Sequence, residues 1–159
     1  MAAIIIRRML SGDIPQAHEI GKQCFTTPWQ ISSFEYELEN RDAILRVAVL
    51  HVEIVGYICV RSILDVTHVM DLAVTPRLKR MGIGSLLLRN ALQELRRTRP
   101  DINMITLEVR ESNIAAVKLY EKHGFREIGR RRGYYKKPLE DALIMELDMN
   151  TDNSSIIFH

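Results

Sequence analysis

One window constrains this chain more than any other: Val74, Thr75, Pro76, Arg77, Leu78, Lys79, Arg80, Met81, Gly82, Ile83, Gly84, Ser85. It joins a β-branched run, residues 69–74, to a stretch with Ile83, Leu87, Leu88, Ala91, Leu92 and Leu95 at helical spacing and Arg89, Gln93, Glu94, Arg96 and Arg97 between them. That is a strand, a tight turn and an amphipathic helix. Two glycines at the start of the helix let backbone N–H groups point outward unobstructed, and the helix N-terminus adds about half a positive charge. Glycines alone serve a tight turn; with Arg77, Lys79 and Arg80 crowded into it, the turn becomes a place to hold a phosphate or pyrophosphate. The P-loop pattern GxxxxGK[ST] is absent, and the dinucleotide pattern GxGxxG fails because Leu87 stands where its third glycine belongs.

The rest of the chain fits around that turn as one domain. Its 159 residues, 47% of them hydrophobic, make a single core of ordinary size. A net charge of +2 gives no general attraction to nucleic acid or membrane surfaces, so any electropositive site must come from local clustering. Cys24 and Cys59 form no CxxC, and His18, His51, His68, His123 and His159 form no HxH or HExxH, so no metal is expected. The two cysteines read as small buried hydrophobes, and His68 and His123 as structural. The run 2–6 is too short for a signal peptide, and no stretch approaches the ~18 apolar residues of a membrane span, which predicts a cytosolic protein binding neither DNA nor membrane.

Periodicity predicts a strand at 4–6 and a helix capped by Asp13 with Pro15 in its first turn and Ile14, Ala17, His18 and Ile20 inward. A second helix is expected over 29–40 (Ile31, Phe34, Leu38), then strands at 44–50, 54–63 and 69–74, with a polar link at 65–68. After the helix 83–98 come a strand at 104–109, a helix at 114–123 capped by Asn113 and closed by Gly124 and Phe125, and strands at 126–131 and 142–149 around a loop at 133–141. The fold class is α/β: a mixed, mostly antiparallel sheet of about seven strands flanked by four helices. Residues 1–150 form the domain, and 151–159 read as a flexible tail.

The window KRMGIG resembles motif A, [RQ]xxGx[GA], of the GNAT family of N-acetyltransferases, with Lys79 in place of the usual first residue. The resemblance spans nearly the whole chain. LEVRESNIAAVKLYEKHGF, from Leu107 to Phe125, is similar to the family's motif B; RRRGYY and EDALIMEL resemble its protein N-terminal branch, and CFTTPW the bacterial RimI type. The resemblance implies acetyl-CoA as cosubstrate, its pyrophosphate held by Lys79, Arg80, Met81, Gly82, Ile83, Gly84 and Ser85. It further implies a pantetheine arm along Leu72, Ala73 and Val74, and Asn113 on the CoA side. The acceptor it implies is the N-terminal alanine of a protein, ribosomal protein S18 for that type, and the enzyme is expected to act as a monomer.

Acetyl transfer to an amine needs a neutral nucleophile, an oxyanion donor and a proton for the departing thiolate. An α-amino group has a pKa of about 7.7–8.0 against ~10.4 for lysine, so a carboxylate or a water it orients is base enough for an N-terminus. Glu108 matches the position of the RimI-type base; read without the resemblance it is a strand glutamate on the opposite side from Leu107 and Val109. Tyr120, seven residues beyond Asn113, matches the family's general acid; otherwise it is a core aromatic beside Val117 and Phe125. The Val74 amide is the expected oxyanion donor. Phe25, Pro28 and Trp29 in one loop and Tyr134 and Tyr135 in another would wall a groove narrow enough to select a flexible N-terminus.

Two other functions share these residues. One keeps the fold and changes the acceptor to a lysine side chain or small amine. The other is a non-catalytic RNA- or CoA-binding module using Arg130, Arg131, Arg132, Lys136 and Lys137, although such charge runs are usually solvated surface.

Overall fold

The computed structural model describes residues 3–150, so the tail 151–159 lies outside the described residues. The elements are β1 (Ile4–Arg8), α1 (Ile14–Cys24), α2 (Ile31–Glu39), β2 (Ala43–Leu50), β3 (Glu53–Ile63), β4 (Val66–Val74), α3 (Ile83–Thr98), β5 (Met104–Arg110), α4 (Ile114–Lys122), β6 (Arg126–Lys136) and β7 (Leu139–Asp148). They form one seven-stranded sheet in the order β1-β2-β3-β4-β5-β7-β6. Neighbours are antiparallel except β4 and β5. Among the described residues no helix is long and apolar enough to cross a membrane.

Strand alternation splits the core into two layers. Val55, Val60, Val69, Leu107 and Val109 face α3, whose Ile83, Leu87, Leu88, Ala91, Leu92 and Leu95 are all buried against them. Val47, Tyr57, Cys59 and Ala73 face the other way, onto Ile14, Ala17 and Ile20 of α1 and Phe34 of α2. The expected Schellman closure of α4 is present: Phe125 N–H donates to Tyr120 O and Gly124 N–H to Glu121 O, each at 3.0 Å.

Four local expectations are corrected. Asp13 makes no side-chain cap on α1; its carboxylate accepts instead from the Leu10 amide at 2.8 Å and from both Arg7 nitrogens at 2.7 and 3.0 Å. Ile31 lies at the exposed start of α2, and Glu37 takes the buried side through its pairing with Arg61 at 3.1 Å. The link expected at 65–68 is strand from Val66, because Leu64 at φ 57° turns the chain tightly and Ser62 and Thr67 share a buried hydroxyl contact at 2.8 Å. The loop expected at 133–141 is a hairpin: β6 runs on to Lys136, β7 begins at Leu139, and Tyr135 pairs with Glu140. An edge strand wet on both faces shows no alternation to read, and the irregular register between Arg131 and Tyr135 with Gly133 at φ 60° breaks it further.

Candidate active site

The site begins where the sheet comes apart. Strands β4 and β5 pair only at Thr67–Ile105 and His68–Thr106; past His68 they diverge, leaving a wedge between residues 69–74 and 107–110. Thr75 N–H donates to Val55 O at 2.8 Å, so alternation turns the Ala73 amide to β3 as well and points the Leu72 and Val74 amides into the wedge. Of the three residues expected along the ligand, Leu72 and Val74 offer backbone donors, and Ala73 is buried under α1. The Cys24 thiol donates to Val74 O at 3.2 Å.

At the mouth of the wedge the turn delivers α3. Gly82 is its N-cap at φ 80°, a conformation that costs a side-chain-bearing residue about 1–2 kcal/mol, and no side chain caps the helix. The first intrahelical donor is the Leu86 amide, to Gly82 O at 3.1 Å, so the amides of Ile83, Gly84 and Ser85 have no partner within the helix. Lys79, Arg80 and Met81 are exposed around them. Arg77 is diverted: it pairs with Glu53 at 2.6 Å. A Cβ on Gly84 would stand 3.2 Å from Leu119 of α4 and 3.9 Å from Val74, so this glycine lets α3, α4 and β4 close on one point.

Period-two alternation on β5 sends Leu107 and Val109 to the α3 layer and Thr106, Glu108 and Arg110 to the α1 and α2 side. The Glu108 side chain is 12% exposed, with Oε2 2.5 Å from His68 Nε2 and Oε1 3.5 Å from Arg131 Nε. His68 Nδ1 lies 2.9 Å from Thr106 Oγ1. The tautomer that donates from Nε2 to the Glu108 carboxylate leaves Nδ1 to accept from the Thr106 hydroxyl. His68 thus belongs to the site and is more than structural packing.

From the other layer, Asn113 caps α4 by accepting from the Ala116 amide at 3.2 Å, and Tyr120 follows two turns on. Tyr120 is buried, edge-on to Phe125 with ring centroids 5.6 Å apart. Burial pushes its phenol well above the usual range, helped by the Asp71 carboxylate and Tyr135, so it stays protonated.

On the acceptor side, Trp29 packs edge-on to Phe34 at 5.2 Å and lines a cleft of about 310 Å³ with Ser32, Ser33, Tyr36, Arg61 and Met70. Phe25 is half-buried beside it against the α1 layer. Tyr134 and Tyr135 meet edge-on at 5.0 Å, and burial pushes the Tyr135 phenol up to about 12. Arg110 ties the two walls together. Its guanidinium lies 4.2 Å over the Tyr135 ring, donates to Thr26 Oγ1 at 3.2 Å and to the Lys137 and Pro138 carbonyls at 3.1 and 3.2 Å, and pairs with Glu140 at 3.1 Å. The basic run on β6 is partly spent within the domain: Arg130 pairs with Glu111 at 2.9 Å and Asp141 at 3.3 Å.

An uncapped helix start after a strand is the arrangement the sequence motifs called for, and comparison with known proteins agrees on the family. The acetyltransferase (GNAT) family matches residues 14–125. The chain belongs to the GNAT family. It is 34% identical over 140 residues to the ribosomal protein bS18-alanine N-acetyltransferase of Salmonella typhimurium, covering 87% of this chain and 93% of that one. The crystal structure of the ribosomal-protein-S18-alanine N-acetyltransferase from Escherichia coli superposes with a TM-score of 0.82 at 30% identity, over 95% of this chain and 98% of that one. The same fold, at 17% identity and a TM-score of 0.83 over 92% of this chain and all of the other, occurs in Arabidopsis thaliana NAA60 in complex with acetyl-CoA.

Within this GNAT enzyme the structure groups Leu72, Val74, Gly82, Ile83, Gly84 and Ser85 at the wedge and its mouth. It sets Glu108 on one border strand and Tyr120 against the opposite layer, puts Phe25 and Trp29 in the α1 and α2 layer and leaves Tyr134 and Tyr135 near the tip of the β6–β7 hairpin. His68, Thr106 and Arg110 escaped the sequence reading. For His68 the missing information was that β4 starts at Val66, which aligns it with Thr106. For Arg110 it was the paired hairpin beneath it. The alternation that puts Glu108 opposite Leu107 and Val109 puts Thr106 and Arg110 on the same side, and was a usable signal for both.

Proposed function

We propose that this acetyltransferase moves the acetyl group of acetyl-CoA onto the α-amine of a protein's N-terminal alanine, with ribosomal protein S18 as acceptor, acting as a cytoplasmic monomer. The observation that carries the reading is the position of Glu108: a nearly buried carboxylate, partnered by His68, on the strand that borders the wedge opposite the Leu72 and Val74 amides. The acceptor named by the relatives supports it.

The residues present suit acetyl-CoA: an anion fits the bare amides at the start of α3 beside Lys79 and Arg80, and an amide-bearing arm fits the unpaired edge of β4. The cosubstrate supplies the activated acetyl group and leaves as a thiolate. Glu108 removes the proton that the attacking amine must lose, with His68 holding the carboxylate and Thr106 holding His68. The Val74 amide faces the charge that develops on the carbonyl oxygen. Tyr120 donates the proton the thiolate needs. An acceptor of pKa about 7.7–8.0 suits a carboxylate base far better than a lysine near 10.4.

Purified protein with acetyl-CoA is expected to acetylate a short peptide beginning with Ala at its N-terminus, read by mass spectrometry. Modification of internal lysines alone, with that N-terminus untouched, would overturn the acceptor assignment. In cells lacking the protein, one ribosomal protein is expected to lose its N-terminal acetyl group.

A further inference from the structure

The mechanism above leaves one ionisable group at the wedge unused. Asp71 sits on β4 next to the Leu72 amide, at the register shift that opposes it to Cys59. Its Oδ2 accepts from the Tyr57 hydroxyl at 2.7 Å. Tyr57 is wholly buried, and Gly21 of α1 leaves room for its hydroxyl, since a Cβ there would stand 3.1 Å from it. No cation pairs with Asp71 among the described residues, whereas Asp13, Glu37, Glu94, Glu108 and Glu140 each have an arginine partner.

The groups facing Asp71 leave it the one anion among them. They are Tyr57 and Cys59 from β3, Cys24 from α1 with Lys79 nearby, and Tyr120 from α4. Burial raises all four of those phenols and thiols, so each is neutral near pH 7. A carboxylate left half-buried with a hydrogen bond and no counter-charge is costly unless something supplies the cation.

We infer that Asp71, oriented by Tyr57, is the docking carboxylate for the acceptor's ammonium group, so that the site binds its amine as a cation before Glu108 deprotonates it. This rests on the amine-acceptor reading above. It assigns the binding of charge and the removal of the proton to two different carboxylates. Burial also lifts the Asp71 carboxyl to about 6, against the opposing pull of the Tyr57 hydroxyl and the Leu72 amide, so docking weakens below that pH.

The test is steady-state kinetics with the Ala-initiated peptide, from pH 5 to 8. Asp71→Asn is expected to raise the KM for peptide about tenfold or more, with acetyl-CoA affinity by calorimetry within about twofold of wild type. It should also abolish the fall in peptide kcat/KM centred near pH 6. Tyr57→Phe removes the hydrogen bond that holds the carboxyl down, so that fall is expected to move to higher pH. An unchanged peptide KM in Asp71→Asn overturns the inference. Should that variant fail to bind acetyl-CoA, the Tyr57→Phe profile decides: an upward shift sustains the inference, and an unmoved profile overturns it. A wild-type enzyme that ignores the Ala peptide and acetylates lysines refutes the acceptor assignment instead, and the same variants are then read with a lysine peptide.

Discussion

Glu108 and Tyr120 make opposite demands on their surroundings, and the sheet meets both by placing them on different layers. Glu108 is held by His68 and Arg131; Tyr120 keeps a proton through burial. Glu108→Gln is expected to lower kcat about 100-fold or more at neutral pH, with acetyl-CoA binding retained in calorimetry. His68→Ala leaves the carboxylate but frees its rotamers, and a smaller loss, about tenfold, is expected. A structural aspartate gives a pH prediction of its own. Asp13 is held below the usual carboxyl range by the Arg7 guanidinium and the Leu10 amide, so its contribution is complete above about pH 4 and fades as the pH falls through the folded value. Asp13→Asn should therefore lower Tm by roughly 2–4 °C at neutral pH, about 1 kcal/mol, with the gap to wild type closing toward pH 3 in calorimetric scans.

At the scale of elements, the turn into α3 is the proposed seat of the ligand. Gly82→Ala forces a side chain into the left-handed region at a cost of about 1–2 kcal/mol and tilts the free amides, and an increase of about tenfold in acetyl-CoA Kd is expected from titration calorimetry. The hydrophobic face of α3 was fully legible in the sequence, because six apolar residues at helical spacing have one way to be buried. The tip of the β6–β7 hairpin was not: residues 133–141 read as a loop between the two expected strands, since an edge strand with water on both faces carries no period-two signal. Asp13 was misread for a related reason. An Asp before a proline-bearing helix start suits a cap, but Arg7, brought alongside by β1, competes for the same oxygens and wins with two hydrogen bonds.

The whole molecule uses its sheet as a partition: acetyl-CoA is expected from the α3 and α4 layer, the acceptor from the α1 and α2 layer, and the two meet where β4 and β5 separate. Arg110 belongs to the acceptor layer, joining the α1–α2 connection to the β6–β7 hairpin. Arg110→Ala is expected to raise the peptide KM about tenfold while the thermal shift produced by acetyl-CoA is unchanged. That shift is itself a prediction, since a ligand at 100 times its Kd stabilises by about 2.7 kcal/mol. A loss of both responses together in Arg110→Ala would show that the layers are coupled and not independent.

Periodicity, turn chemistry and motif spacing were enough to determine the order of strands and helices and the buried face of α3 and to mark the turn into α3 as an anion-site candidate, because each depends on neighbours within a few residues; Glu108 and Tyr120 were marked only by the family resemblance. The wedge, the His68–Glu108–Thr106 chain, the Arg110 tie and the unpaired carboxylate of Asp71 came from tertiary structure alone. Each arises between strands or layers remote in sequence, where register and splay decide which polar groups find partners and which are left open for a ligand.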